Sequence, residues 1–179
     1  MRIISGKYRS RQIHPPTHLP VRPTTDFAKE SLFNILNNLV DFEELSVLDL
    51  FAGTGNISYE FFSRGAKLVT AVEMDSKCVA FIEKTAQMLN AECLEAIRMD
   101  VFQFLKHPYG KYDVIFADPP YFSEQVEELP DLVFKTDLLV KEGLFILEHS
   151  KKNDFTGHPF FNQHRNYGNV NFSFFKREI

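Results

Sequence analysis

The sequence predicts an α/β fold, a mostly parallel sheet wound on both faces by helices. Three observations predict it. Short apolar runs recur at Val47–Phe51, Leu68–Val72, Leu94–Met99, Tyr112–Ala117 and Gly143–Glu148, as expected of strands covered on both sides. The segments between them are of crossover length, which favours right-handed strand-helix-strand units. A glycine-bearing loop, Ala52-Gly53-Thr54-Gly55, closes the first of these strands, at the position where open α/β sheets bind ligands.

With 179 residues, 44% hydrophobic and 25% charged, the chain is long enough to bury a core and too apolar for intrinsic disorder. Residues 1–24 are expected to form a basic hairpin and linker, and residues 25–179 the main domain with its leading helix. No apolar run is long enough to span a bilayer, and the N-terminus lacks the apolar stretch of a signal peptide. A cytoplasmic protein without a membrane partner is expected. Cys78 and Cys93 lie in a helix and near a strand start, with no CxxC or Cys/His cluster. Both read as reduced packing residues, and no metal site is expected.

Charge is uneven. Residues 1–25 hold Arg2, Lys7, Arg9, Arg11 and Arg22 and no acid, although the whole chain has a net charge of −4. A basic arm on an acidic body attracts phosphates at one place. A solvated, frayed terminus fits the charge equally well. Ile3, Tyr8 and Ile13 around Ser5-Gly6 favour a small hairpin there.

His14-Pro15-Pro16 begins a stiff connector, and His14 and His18 have no ligating neighbours in sequence. Thr25 or Asp26 then caps a helix with Ala28, Leu32, Ile35 and Leu39 at helical spacing. Ile57–Arg64 reads as a short helix. Ser76–Leu89 is a longer one, with Val79, Ile82, Ala86 and Leu89 on one face. After Glu148 two strands, near Phe160–His164 and Val170–Phe175, flank Tyr167-Gly168-Asn169 and form an antiparallel closing pair.

The ends of the strands carry the chemistry. Gly53 and Gly55 let backbone approach a ligand, and Glu73 follows Asp49 by 24 residues, the spacing at which an acid commonly holds ribose hydroxyls. A lone G-x-G is often only a tight turn. A dinucleotide fingerprint needs a third glycine, but Ser58 stands in that place, and Asp49 just before the loop would repel a pyrophosphate. The same acid suits the cationic sulfonium and ammonium of S-adenosylmethionine, which is the expected cofactor. Glu73 would take the ribose and Asp100 the adenine amine. Phe51, Met74, Val101 and Phe102 complete the candidate cofactor set as apolar walls or loop.

Asp118-Pro119-Pro120-Tyr121 ends the fourth apolar run. Proline fixes φ and lacks an N–H, so the chain leaving Asp118 is stiff. The Asp118 carboxylate and the Pro119 carbonyl can accept both hydrogens of an exocyclic amine, while Tyr121 offers a face for a stacked base. These four residues are the candidate catalytic set. The plainer reading is a strand that stops at two prolines, with Asp118 in a turn and Tyr121 on the surface.

Arg2-Ile3-Ile4-Ser5-Gly6, Arg22-Pro23-Thr24, Leu32–Leu36, Asp49–Gly55, Ser63-Arg64-Gly65-Ala66 and Asp118–Tyr121 together resemble the bacterial 16S rRNA guanine-N2 methyltransferases of the RsmD type, in order along nearly the whole chain. The resemblance implies a class I S-adenosylmethionine-dependent methyltransferase fold, Rossmann-like, with seven strands and an antiparallel closing strand. It further implies a guanine in 16S rRNA, naked or in the small-subunit particle, as acceptor. Arg2, Lys7, Arg9, Arg11 and Arg22 then form the RNA-facing edge of a protein expected to be a monomer. Ser58, Phe61, Lys29 and Thr85 depart from the family pattern, with packing as the expected consequence. Two rivals share the motifs: a DNA adenine-N6 methyltransferase, for which the 58 residues after Tyr121 leave little room to read DNA, and a non-catalytic RNA-binding assembly factor.

Overall fold

The computed structural model describes residues 1–19 and 24–177. Seven strands form one sheet: β1 Ser46–Leu50, β2 Leu68–Glu73, β3 Leu94–Arg98, β4 Tyr112–Ala117, β5 Leu139–His149, β6 Phe161–Tyr167 and β7 Val170–Lys176. Their order is β3-β2-β1-β4-β5-β7-β6. Pairings from β3 across to β5 are parallel, and β7 runs antiparallel to both β5 and β6. This is the class I methyltransferase arrangement, and the order of connection reverses between β1 and β4. A crevice opens at such a reversal, beyond the carboxyl ends of the strands.

Among the described residues five α-helices cover the sheet: α1 Asp26–Leu36, α2 Asn56–Ser63, α3 Ser76–Met88, α4 Val101–Lys106 and α5 Leu129–Lys135. On one face Val47, Val69, Ala71, Val114, Phe116 and Ile146 pack with Leu32 and Phe33 of α1, Ile57 and Phe61 of α2, and Ile82 of α3. On the other, Leu48, Leu50, Ile115, Phe145 and Leu147 pack with Phe104 of α4 and Val133 of α5. The alternation follows from the two-residue period of a strand. It also decides the site, because Asp49, Glu73, Asp118 and Glu148 occupy positions in phase with the first face.

Several boundaries differ from the sequence expectation. Leu39 lies beyond α1 and is 51% exposed, because the helix ends at Leu36 with Asn37 as its cap. The third strand stops at Arg98, and β5 begins at Leu139 instead of Gly143. Its early part is interrupted at Glu142, where φ is 64°, and its pairing with β4 shifts register before Leu144. Leu144 onward is the regularly paired stretch, so the apolar signal marks that portion and misses the bulged approach.

The N-terminal segment is docked on α2. Arg2 and Gln12 form an antiparallel bridge, and Ile3 and Ile13 are buried in the first core. Backbone amides of Ile4 and Ser5 donate to the Glu60 carboxylate at 2.8 and 3.0 Å. The Lys7 amide donates to the Ser63 carbonyl at 2.7 Å. Gly6 has φ of 83°, and a Cβ there would lie 1.8 Å from the Ser63 carbonyl oxygen. Only glycine allows that approach.

Lys29 and Glu60 are buried at 1% and 0% exposure. The Lys29 ammonium donates to the Arg2 carbonyl at 2.5 Å and to Asn56 Oδ1 at 2.8 Å, and lies 3.5 Å from Glu60. Burial lowers its pKa, and the Glu60 charge opposes that shift. Arg64 pairs with Glu60 at 2.9 Å and stacks on the Phe33 ring at 4.6 Å. These charges join the N-terminal segment, α1 and α2.

Candidate active site

The turn after β1 is built for close approach. Phe51, Gly53 and Gly55 all have positive φ, at 60°, 55° and 83°. Gly55 starts α2, and a Cβ there would meet the Tyr59 ring at 2.8 Å. The Gly53 amide donates to one oxygen of Glu73 and the Asp75 amide to the other, each at 2.8 Å. Glu73 is half-buried. Its carboxylate is therefore fixed in orientation, and each oxygen keeps a second lone pair for a ligand hydroxyl.

Asp49 lies below this turn, at 1% exposure. The Ser58 hydroxyl donates to it at 2.5 Å. Burial pushes its pKa up to about 7, the Glu73 charge adds to the shift, and Ser58 opposes it. A cation bound above the turn would return this carboxyl to its ionised form. Ser58 thus has a defined contact, one that a glycine could not supply.

Asp100 caps α4, with Oδ1 accepting from the Gln103 amide at 3.0 Å. It stands just beyond β3, with Val101 buried and Phe102 half-buried beside it. The Phe102 ring meets Phe51 edge-on at 6.0 Å. Met74 is 65% exposed. Phe51 and Phe102 thus form one apolar surface between the Gly53 turn and Asp100, and Met74 follows Glu73.

At the β4 end, Asp118 is half-buried, Pro119 buried and Pro120 exposed. The Thr24 hydroxyl donates to Asp118 at a long 3.5 Å. Tyr121 is 47% exposed, and its hydroxyl donates to Glu148 Oε1 at 2.9 Å. The ring is thereby held by its polar end.

Sequence reasoning missed Glu148 as a site residue. It closes β5 one strand over from Asp118, since Ala117 and Leu147 are register partners. The available signal was an acid ending an apolar run, the same pattern that singles out Glu73 and Asp118. Glu148 is 3% exposed, and burial raises its pKa to about 7. Asp118 is raised well above the ordinary value, first by burial, then by the charges of Glu148 and Asp49. Four neighbouring strands, β2, β1, β4 and β5, thus each bring one carboxyl group to the same face of the crevice. This set fits a cation and hydrogen-bond donors, and opposes a pyrophosphate.

Arg2, Lys7, Arg9 and Arg11 are exposed on the docked N-terminal segment. Arg2 lies 3.5 Å from Asp26, and Lys7 sits 5.4 Å from the Tyr8 ring centre. Arg22 lies outside the described residues. Among the described residues no group of three or more His, Cys, Asp or Glu could hold a metal ion, Cys78 and Cys93 carry free thiols, and no helix is long and apolar enough to cross a membrane.

Residues 1–176 match the family model described as Conserved hypothetical protein 95. The chain is 35% identical over 155 residues to ribosomal RNA small subunit methyltransferase D of Haemophilus influenzae, covering 84% of this chain and 79% of that protein. It is 33% identical over 148 residues to the protein of the same name from Buchnera aphidicola, covering 83% and 75%. Among solved structures, the putative methyltransferase yhhF from Escherichia coli superposes with a TM-score of 0.87 at 29% identity, covering 99% of this chain and 98% of that one.

Proposed function

The chain belongs to the Conserved hypothetical protein 95 family, that of the RsmD-type small-subunit rRNA methyltransferases, and on that premise we propose that it methylates the exocyclic N2 amine of a guanine in 16S rRNA, with S-adenosylmethionine as donor. The observation that carries this reading is Asp118, an acceptor on a proline-stiffened loop, one strand from the cation-suited Asp49. Bound S-adenosylmethionine supplies an electrophilic methyl group on a cationic sulfur. Asp49 would balance the positive charge, Glu73 would accept from the ribose hydroxyls, and Asp100 from the adenine amine. Phe51, Val101, Phe102 and Met74 would supply the apolar surface for the adenine.

The lone pair of a guanine amine is delocalised into the ring, so the amine is a poor nucleophile. Asp118 and the Pro119 carbonyl accept its two hydrogens and favour a pyramidal nitrogen. Positioning does most of the work. Transfer of the methyl group to nitrogen would leave its former bonding pair on the donor's sulfur, and Asp118 or water would take the extra proton from nitrogen. The raised pKa of Asp118 suits it to receive that proton. A base stacked in a helix cannot reach this loop, so the target is unpaired or flipped, with the Tyr121 ring as its new stacking neighbour.

The enzyme acts in the cytoplasm on the rRNA or the small-subunit particle. All four carboxyl groups come from one sheet, so they need no second copy, which is consistent with the proposed monomer. With labelled S-adenosylmethionine, label is expected in small-subunit rRNA, naked or assembled, and not in duplex DNA. Label confined to DNA would overturn the assignment. Glu73→Ala is expected to weaken cofactor binding by about 1–3 kcal/mol while leaving the fold intact. Calorimetric titration measures this, and an unchanged dissociation constant would remove Glu73 from the cofactor site.

The RNA edge makes a separate prediction. Each phosphate contact contributes roughly 0.7–0.9 to the slope of log affinity against log salt. Replacing Arg2, Lys7, Arg9 and Arg11 by glutamine is expected to flatten the slope for rRNA binding by about 3, with cofactor affinity unchanged. Arg22 belongs to the same proposed edge. An unaltered slope would leave the basic segment without an RNA role.

A further inference from the structure

Glu148 is a buried acid with half of its carboxylate unassigned. Its Oε1 accepts the Tyr121 hydroxyl at 2.9 Å. Its Oε2 is buried and has no hydrogen-bond partner within 3.5 Å among the described residues, the Thr24 hydroxyl being the nearby donor to this carboxylate. Leaving a buried acceptor unsatisfied is costly, and native proteins seldom do so without a functional reason. Register places Glu148 beside Asp118 at the ends of adjacent parallel strands, on the sheet face shared with Asp49. The unassigned oxygen is therefore next to the residue that holds the reacting amine in the reading above.

Base chemistry identifies what an acceptor at that place selects. The Watson–Crick edge of guanine presents the N1 hydrogen directly beside the N2 amine, so two neighbouring acceptors meet neighbouring donors. Adenine presents a bare N1 lone pair next to its amine, and a carboxylate oxygen there would face lone pair against lone pair. Asp118 and the Pro119 carbonyl recognise an amine and cannot tell these bases apart. An acceptor fixed one strand away can. We propose that Glu148 is the residue that specifies guanine, its Oε2 accepting the N1 hydrogen while Asp118 holds the N2 amine and Tyr121 fixes the other Glu148 oxygen.

This inference rests on the guanine-N2 reading, and the experiment separates the two. 2-Aminopurine keeps the reacting N2 amine but has a bare N1 acceptor. Single-turnover methylation is measured on two small-subunit RNA substrates that carry guanine or 2-aminopurine at the methylated position and are otherwise identical. The parent protein is expected to prefer guanine. Glu148→Gln keeps an oxygen for Tyr121 and can turn an N–H donor toward N1, so the preference is expected to fall by roughly 10- to 100-fold. Tyr121→Phe leaves Oε2 in place and is expected to slow both substrates while retaining the preference for guanine.

Equal slowing of both substrates by Glu148→Gln would overturn the Glu148 assignment alone and leave it a support for Tyr121. Absence of N2-methylguanosine from the parent's product would overturn the underlying reading, and the Glu148 assignment with it.

Discussion

Asp118→Ala is expected to lower single-turnover methyl transfer by roughly 10²–10⁴-fold, with cofactor affinity near that of the parent. The substitution removes the acceptor that holds the amine and receives its proton, but it leaves the Gly53 turn, Asp49 and Glu73 in place. The loss should fall on kcat, as for an interaction made at the reacting atoms. Stability should move the opposite way. Asp118 and Glu148 are neighbouring acids whose pKa values are both raised by burial, with the Glu148 charge adding to the Asp118 shift, so deleting one relieves a folded-state cost at neutral pH. A higher melting temperature with lost turnover is the expected signature. Full turnover in folded Asp118→Ala protein would sink the amine-holding role.

The largest expected stability loss lies away from the chemistry. Glu60→Ala removes the carboxylate that accepts from the Ile4 and Ser5 amides and pairs with Arg64 and Lys29. Lys29, 1% exposed, would keep its burial and lose its counter-charge. Breaking a buried pair in this way costs about 3–5 kcal/mol. Urea unfolding measures it. The paired change Glu60→Leu with Lys29→Met should recover much of the loss, because it removes both charges together. A loss under about 1 kcal/mol in Glu60→Ala would mean that the network is not buried in solution.

The parallel sheet was legible because each central strand is an apolar run with a chemically distinct end. Val114, Ile115 and Phe116 lead into Asp118, and Val69, Ala71 and Val72 lead into Glu73. The small helices α4 and α5 carry no comparable pattern. α4 is six residues long and depends on the Asp100 cap and the burial of Phe104, neither of which is a periodic signal. No periodic signal in the sequence marks Lys29 and Glu60 as buried, and only their meeting across α1, α2 and the N-terminal segment makes them core. Glu148 was hidden for a related reason. A single acid ending a strand gains meaning only when register sets it beside Asp118, and register is a long-range property.

The most direct test of the account is the identity of the methylated nucleoside. Small-subunit rRNA, naked and as an assembled particle, is incubated with the parent protein and S-adenosylmethionine under single-turnover conditions, digested, and analysed by nucleoside mass spectrometry. The account predicts N2-methylguanosine, formed at one position and absent with Asp118→Ala. N6-methyladenosine as the product, or N2-methylguanosine formed undiminished by Asp118→Ala, would contradict it.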